Sequence, residues 1–188
     1  MANLSRSDRR TAPSQGDFQY CPRCRTELAL GVHGGRERLG CPKCGFVHWR
    51  NPVPVVGAIV ERAGRVVLVH GVGRPPHWYG LVAGFLETAE TPEECALREV
   101  KEELGLDATT GGFIGIYPFE RLNQIIFIYH VLLSAGEITL AADELDDYKE
   151  IPIERIKPWP QGTGPGLRDW LATRGFHPQF ADFGTPQD

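Results

Sequence analysis

The chain contains 188 residues, of which 41% are apolar and 23% are charged, and its formal net charge is −4. This length fits one ordinary domain, or one domain with a small appendage, and the composition provides enough apolar residues for a core. The weakly acidic balance excludes a generally basic nucleic-acid-binding protein. No apolar run approaches the ~20 residues of a membrane helix, and the first sixteen residues lack the apolar segment of a secretory signal. We therefore expect a cytoplasmic protein with no membrane partner.

The net charge conceals an uneven distribution along the chain. Residues 1–50 carry nine Lys and Arg against four Asp and Glu, whereas residues 51–188 carry eleven against twenty. Four of the five cysteines also lie between residues 21 and 44. Both changes in composition predict a boundary near residue 50. We expect a disordered tail over 1–16, a cysteine-rich unit over 17–50, a larger domain over 51–180 and a frayed tail over 181–188.

The four clustered cysteines form two C-x-x-C knuckles, Cys21 with Cys24 and Cys41 with Cys44, separated by sixteen residues. This spacing is typical of a four-cysteine zinc site, because each knuckle directs two sulfur atoms at one point. A segment of this size buries little core, so a metal would supply much of its folding free energy. The alternative is a pair of disulfides, which would suit an oxidising compartment. The spacing predicts a structural Zn²⁺ in a small N-terminal zinc ribbon.

Beyond residue 50, apolar runs typical of buried strands alternate with helical patterns. The strand-like runs cover residues 53–60, 65–70, 111–117 and 123–133. Leu167, Trp170 and Leu171 follow helical spacing and predict a closing helix from Gly166 to about Arg174. This alternation predicts an α/β domain.

The segment after Gly84 contains the strongest helical pattern in the chain. Thr91 is a favourable N-cap residue, and Glu94 three positions later completes a capping box. Pro92 suits the first helical position, and Gly105 suits the left-handed residue that ends a helix. These signals predict a helix from Pro92 to Leu104.

Three carboxylates lie on one face of this predicted helix. Glu99, Glu102 and Glu103 are spaced i, i+3 and i+4, which places them within one sector about 100° wide. Carboxylates this close repel one another, and a divalent cation would turn that repulsion into ligation. Mg²⁺ and Mn²⁺ prefer such oxygen ligands, completed by water and substrate phosphates. Taken alone, the three glutamates fit a solvated acidic helix face better than a metal site.

The surrounding residues form a longer pattern, G-x₅-E-x₇-R-E-U-x-E-E-x-G-U, in which U is apolar. Every fixed position is filled, by Gly84, Glu90, Arg98, Glu99, Val100, Glu102, Glu103, Gly105 and Leu106. This segment resembles the signature box of the Nudix hydrolases without a departure. The resemblance implies an α/β/α sandwich with a mixed sheet and metal-dependent hydrolysis of nucleoside diphosphates linked to another group.

The resemblance also implies a role for each matching residue. Glu99, Glu102 and Glu103 would bind Mg²⁺ or Mn²⁺ as catalytic cofactor, joined by the carbonyl of Gly84. Arg98 and Glu90 would pair to hold the preceding loop against the helix.

A zinc ribbon directly before such a box resembles the branch that contains NADH pyrophosphatase and related ADP-ribose and FAD pyrophosphatases. This branch implies a further metal-binding carboxylate, for which Glu144 is the candidate. It also implies aromatic and polar contacts to the nucleotide, for which the candidates are Phe85, Tyr117, Phe119 and Thr163. Core packing is the alternative interpretation of the aromatic residues.

Three functions remain open at this point. The first is hydrolysis of a dinucleotide or nucleoside diphosphate derivative of the NADH, ADP-ribose or FAD class to monophosphates. The second keeps this chemistry and takes the NAD cap of RNA as substrate, with the basic ribbon contacting the RNA phosphates. The third is a non-catalytic nucleotide-sensing module. The resemblance also implies a homodimer.

Overall fold

The computed structural model describes residues 18–182, so the predicted tail over 1–16 and residues 183–188 of the predicted C-terminal tail lie outside the described residues. The chain divides into two compact units between Asn51 and Pro52. No described helix is long and apolar enough to cross a membrane.

The first unit is a small antiparallel sheet. Its strands are β1 (Ala29–His33), β2 (Arg36–Gly40) and β3 (Val47–His48), in the order β1-β2-β3. Among its described residues, the buried core consists of Cys21, Leu28 and Cys41, with Cys24, Leu39 and Phe46 packed against them. A core this small contributes little stability by itself.

The second unit is built on a seven-stranded mixed sheet with two helices. The strands are β4 (Val53–Arg62), β5 (Arg65–Gly71), β6 (Tyr79–Gly80), β7 (Val82–Phe85), β8 (Ala108–Phe119), β9 (Gln124–Leu133) and β10 (Leu145–Pro152). The helices are α1 (Pro92–Leu104) and α2 (Gly164–Thr173), and single 3₁₀ turns follow β8 and β10 at Glu120–Leu122 and Ile153–Arg155. The sheet order is β10-β5-β4-β9-β8, with β6 paired to β5 and β7 paired to β4. Strands β4 and β9 run parallel, and the other pairs are antiparallel.

Alternation along the central strand β4 separates two cores. Val55 and Ile59 belong to the core that contains Leu167, Trp170 and Leu171 of α2. Val56, Ala58 and Val60 belong to the core that contains Cys95, Val100 and Leu104 of α1. Because successive strand residues point to opposite faces, α1 and α2 cover opposite faces of the sheet. The predicted α/β/α sandwich with a mixed sheet is confirmed.

Helix α1 begins and ends at the predicted residues. Thr91 accepts a hydrogen bond from the Glu94 amide, the Glu94 side chain completes the capping box, and Gly105 closes the helix at φ 72°. A Cβ atom at Gly105 would lie 3.0 Å from the Thr139 carbonyl oxygen. Glycine is therefore needed here for its backbone conformation and for the close approach of the segment before β10.

The segment before β10 is fastened to the C-terminal end of α1. The Thr139 amide donates to the Leu104 carbonyl at 3.0 Å, and the Ala141 amide donates to the Glu103 carbonyl at 3.2 Å. These bonds satisfy carbonyl groups that the helix end leaves free. They also bring Glu144, five residues after Thr139, to the helix face that carries the clustered glutamates. Helix α2 begins at Gly164, two residues before the predicted start, because Pro165 suits the first turn of a helix.

Candidate active site and metal centre

The four knuckle cysteines converge in the first unit. Their ligand atoms all lie within 4.8 Å of one another, with Cys21 Sγ 3.4 Å from Cys44 Sγ and Cys24 Sγ 3.5 Å from Cys41 Sγ. None of these cysteines forms a disulfide, so the disulfide alternative is not the arrangement in this structure. Four sulfur atoms at these separations suit the tetrahedral shell of one Zn²⁺ ion.

Each knuckle is closed by the same backbone turn. The Arg25 amide donates to the Cys21 carbonyl at 2.8 Å, and the Gly45 amide donates to the Cys41 carbonyl at 3.1 Å. The closing residues adopt positive φ, 61° at Arg25 and 72° at Gly45. Hydrogen bonds from the side chain and then the backbone of Thr26 lower the pKa of the Cys24 thiol to about 6. At Cys44, the Phe46 backbone bond lowers the pKa, but contacts with the other three cysteines and burial raise it to about 12, so the four thiols become thiolate ligands together only with a cation.

In the second unit, an acidic cavity of about 360 Å³ lies against α1 and β7. Helix α1, the β7 strand with its following loop, and the segment before β10 supply its lining. The lining residues are Ala83, Gly84, Phe85, Glu87, Glu99, Glu102, Ala141 and Glu144. The structure thus brings together the predicted residues Gly84, Phe85, Glu99, Glu102 and Glu144, which are far apart in sequence.

Arg98 links the loop that precedes α1 to the glutamates of the helix. Its guanidinium donates to both carboxylate oxygens of Glu90, at 2.7 and 3.0 Å, and to the Phe85 carbonyl at 3.1 Å. Its Nη1 atom also lies 2.8 Å from Glu99 Oε1 and 2.9 Å from Glu102 Oε2. The hydrogen bonds from Arg98 lower the pKa of Glu90 to about 2. Since Glu90 in turn accepts a 2.6 Å bond from the Glu87 amide, one ion pair holds the whole loop against the helix.

Gly84 allows the close approach of Glu99. A Cβ atom at position 84 would collide with the Glu99 carboxylate, so only glycine permits this carboxylate to lie against the β7 backbone. Burial is the main cause that raises the pKa of Glu99 above its ordinary value, although the hydrogen bond from Arg98 opposes it. Gly84 and the Glu99 carboxylate therefore lie against each other in the cavity lining.

Glu103 is the most constrained carboxylate of the group. Only 6% of the residue is exposed, and its Oε2 atom is buried without a hydrogen-bond partner. The Ala83 amide bonds to the carboxylate, but burial and then the charges of Glu99 and Glu144 raise its pKa to about 8. An unpartnered buried oxygen costs free energy. A cation beside Glu103 would supply the missing partner.

The donor set therefore fits a divalent cation. Glu99, Glu102, Glu103 and Glu144 are carboxylates, and the Gly84 carbonyl adds a neutral oxygen. Oxygen-only donors that face a polar cavity suit Mg²⁺ or Mn²⁺ and do not suit a soft metal. The buried Oε2 atom of Glu103 is the structural observation that favours such an ion.

Three of the predicted substrate contacts lie elsewhere. Tyr117 and Phe119 pack against the core beneath α2, and the Tyr117 hydroxyl donates to Asp169 at 2.9 Å. The Thr163 side chain packs over Gly57, because a Cβ atom added to Gly57 would lie only 2.9 Å from the Thr163 methyl carbon. None of the three lines the acidic cavity. Among the predicted substrate contacts, Phe85 alone lies in its lining.

The cavity also contains residues that sequence reasoning did not assign. Glu87 adds a fourth carboxylate to the lining, and Ala83 and Ala141 provide its small apolar surface. The sequence could have identified Glu87 as a site residue, because it lies three residues before Glu90 in the same loop. It could not have identified the two alanines, because small apolar residues are common in any core.

The chain resembles known proteins over most of this second unit. The NUDIX domain family model matches residues 51–173. The NAD-capped RNA hydrolase NudC of Pseudomonas aeruginosa is 29% identical over 143 residues, which cover 76% of this chain and 50% of that protein. The protein of the same name from Chromobacterium violaceum is 30% identical over 142 residues, covering 73% of this chain and 51% of that protein. The chain spans about half the length of these curated relatives.

Solved structures show the same fold. A NUDIX hydrolase from Nitrosomonas europaea superposes with a TM-score of 0.70 at 25% identity, covering 87% of this chain and 97% of that chain. A UDP-X diphosphatase superposes with a TM-score of 0.54 at 22% identity, covering 75% of this chain and 70% of that chain. The second likeness supports the fold alone.

The cysteine cluster predicts a measurable zinc content. We expect about one Zn²⁺ per chain by elemental analysis of protein purified without chelator. Cys24→Ser should lose most of this zinc and weaken protection of the first unit against proteolysis, because the metal replaces a large core. Cys95→Ser is the matched control and should retain the zinc, since Cys95 is buried in the second unit. Equal zinc in both variants would contradict the site.

Glu103 predicts an unusual dependence of stability on pH. The folded protein holds the Glu103 proton more tightly than the unfolded chain, so the metal-free protein loses stability as pH rises from about 4.5 to about 8. Glu103→Gln removes this charge. At pH 8 without metal, the variant should exceed the wild type in urea unfolding free energy, by on the order of 2 kcal/mol.

The control for this measurement is Glu102→Gln, whose parent side chain is 60% exposed. It should change the same unfolding free energy by less than about 1 kcal/mol. Saturating Mg²⁺ should stabilise the wild type more than Glu103→Gln. A Glu103→Gln variant that is no more stable than the wild type at pH 8 would show that this carboxylate is not held in an unfavourable ionised state.

Proposed function

The chain belongs to the NUDIX family, and from this premise we propose that it hydrolyses the diphosphate bond of a dinucleotide or nucleoside diphosphate derivative of the NADH, ADP-ribose or FAD class. Water would add to one phosphorus atom, the bond from this phosphorus to the bridging oxygen would break, and two monophosphates would result. The observation that carries the proposal is the buried, unpartnered Glu103 oxygen, which lies close to the charges of Glu99 and Glu144, two carboxylates of the acidic cavity.

We propose that Glu99, Glu102, Glu103 and Glu144, with the Gly84 carbonyl, hold Mg²⁺ or Mn²⁺. When bound, such an ion neutralises the substrate's diphosphate and lowers the pKa of a coordinated water. The chain prepares this arrangement through Arg98, which orients Glu90, Glu99 and Glu102 in one network. Preorganised groups of this kind lower the barrier without rearranging during the reaction.

The cavity walls suggest how the rest of the substrate would be held. Phe85 is 57% exposed at the cavity, so its ring is free to stack on a base or a nicotinamide. Tyr117, Phe119 and Thr163 would reach the substrate only where it extends beyond the cavity lining. We therefore assign the primary aromatic contact to Phe85.

The first unit would serve as a structural zinc ribbon. Four cysteine ligands leave no open coordination position, so the proposed Zn²⁺ would stabilise the fold and take no part in hydrolysis. Cys21, Cys24, Cys41 and Cys44 would supply all of its ligands.

A second candidate substrate is RNA that carries an NAD cap. The relatives from Pseudomonas and Chromobacterium are named as hydrolases of this substrate, and the ribbon carries an excess of basic residues. Arg36 is exposed on β2, whereas Arg38 donates to the His33 carbonyl at 2.9 Å and lies 5.1 Å from the Trp49 ring centre. The exposed Arg36 is suited to contact RNA phosphates, and Trp49, which is 51% exposed beside the half-buried Arg38, is suited to stack on a base.

The proposed reaction predicts that the rate of hydrolysis depends strongly on both the exposed Glu102 and the buried Glu103. Glu102→Gln and Glu103→Gln should each lower kcat/KM by roughly 10²-fold or more, because each removes a charge from the proposed metal site. The measurement is a hydrolysis assay with Mg²⁺ or Mn²⁺ on NADH, NAD, ADP-ribose and FAD, with products identified by mass.

The control is Glu93→Gln, an exposed glutamate in the first turn of the same helix, which should retain activity. Full hydrolysis by both Glu102→Gln and Glu103→Gln with intact folding would refute the metal-site proposal. No hydrolysis by the wild type on any of these compounds would favour the non-catalytic nucleotide-sensing alternative.

In the same assay on NAD-capped RNA, Arg36→Gln should lose more activity than on free NAD. Equal losses on both substrates would argue against an RNA contact by the ribbon.

A further inference from the structure

The loop over residues 72–78, between β5 and β6, lies beside the segment that carries Glu144. The Val72 amide donates to the Glu144 carbonyl at 2.8 Å, and the Arg74 amide donates to the Gly71 carbonyl at 3.1 Å. The loop is therefore tied by its backbone to a residue of the cavity lining. It also contains Arg74, whose charge is opposite to that of the cavity.

The pleat of β5 shows on which face the Arg74 side chain lies. Val67 and Val69 belong to the core beneath α1, and Gly71 is next in this alternation. A Cβ atom on Gly71 would lie 3.3 Å from Arg74 Cγ, 3.9 Å from Arg74 Nε and 3.8 Å from the Glu144 carbonyl oxygen. The Arg74 side chain thus lies over Gly71, on the same face of the sheet as α1 and the acidic cavity.

This placement explains the glycine at position 71. Its φ is not positive, so the backbone alone does not require glycine there. The space that a side chain would fill is instead occupied by the stem of Arg74. Glycine at this strand end allows the arginine to lie flat against the sheet next to Glu144.

His70 holds the same loop from the opposite face. The residue is buried, and its two ring nitrogens contact Asp146 and the Pro75 carbonyl, the latter at 3.0 Å. Both partners accept hydrogen bonds, and the bond to Asp146 is the main cause that raises the pKa of His70. Pro75 directly follows Arg74, so this anchor restricts the loop at the position of the arginine.

The charges around the cavity leave Arg74 available to a ligand. Four carboxylates line the cavity, and Arg98 is already bonded to Glu90, Glu99 and Glu102. Among residues 18–182, Arg74 forms no ion pair. An exposed guanidinium whose stem lies against Gly71, next to the Glu144 backbone, is suited to bind a phosphate group through two parallel hydrogen bonds.

We propose that Arg74 binds the substrate's diphosphate on the Glu144 side of the cavity. This inference rests on the proposed function for the identity of the substrate. Arg74 is a binding residue in this scheme, because its guanidinium contacts the phosphate oxygens while the carboxylates hold the cation.

The test measures equilibrium binding as well as turnover. Calorimetric titration of the full chain with imidodiphosphate in Mg²⁺ should show that Arg74→Gln raises Kd by about tenfold, and that Arg74→Lys recovers part of the loss. In hydrolysis assays, Arg74→Gln should raise KM by a similar factor while kcat changes less than about threefold. Arg155→Gln, in the exposed 3₁₀ turn after β10, is the matched control and should alter neither value.

A second variant tests the geometry with the arginine retained. Gly71→Val fills the space under the Arg74 stem, so it should weaken imidodiphosphate binding in the same direction. The double variant should lose little more than Arg74→Gln alone, because both changes remove one contact. Unchanged Kd and KM in Arg74→Gln would overturn the inference. Arg74-dependent binding of imidodiphosphate in a wild type that hydrolyses no dinucleotide would leave this inference standing while the proposed function fails.

Discussion

The burial of the Glu103 carboxylate is the constraint on which the candidate site depends. Its Oε2 atom has no partner, and burial with the nearby charges of Glu99 and Glu144 raises its pKa to about 8. A protein tolerates such a group when another interaction compensates for it. The glycine at position 84, which admits Glu99, and the segment before β10, which delivers Glu144, increase the negative charge around Glu103 rather than relieve it. This arrangement is understandable as a site built for a cation.

Arg98 is the chain's own compensation for the remaining negative charge. It forms two hydrogen bonds with Glu90 and shares one nitrogen between Glu99 and Glu102, but it does not reach the unpartnered oxygen of Glu103. The loop before α1 is thus held by the chain's own ion pair, whereas the inner carboxylate stays uncompensated. Arg98 thus supports the loop, whereas Glu103 is left to bind the metal. The Arg74 guanidinium adds a positive charge on the Glu144 side of the site.

Local signals allowed accurate prediction of much of the fold and part of the site. The capping box and Gly105 are short-range features, so the limits of α1 follow from residues adjacent in sequence. The unequal burial of Glu102 and Glu103 could not be predicted, because it depends on β7 and on the segment before β10. Tyr117 and Phe119 pack against the core beneath α2 and not in the cavity lining, a placement that depends on the pairing of β8 with distant strands and not on local spacing. Arg74 lies in a loop without periodicity, and Gly71 was the only feature of the sequence that pointed to its placement.

In the proposed site, Glu103 exchanges a proton for a cation, and the number of protons released when Mn²⁺ binds measures this exchange. Calorimetric titrations at pH 7, in two buffers that differ in ionisation enthalpy, give this number. We expect about one proton per chain for the wild type and markedly fewer for Glu103→Gln, because metal binding requires a deprotonated carboxylate. Mn²⁺ binding with no proton release by the wild type, or with equal release by both proteins, would show that Glu103 does not exchange its proton for the metal.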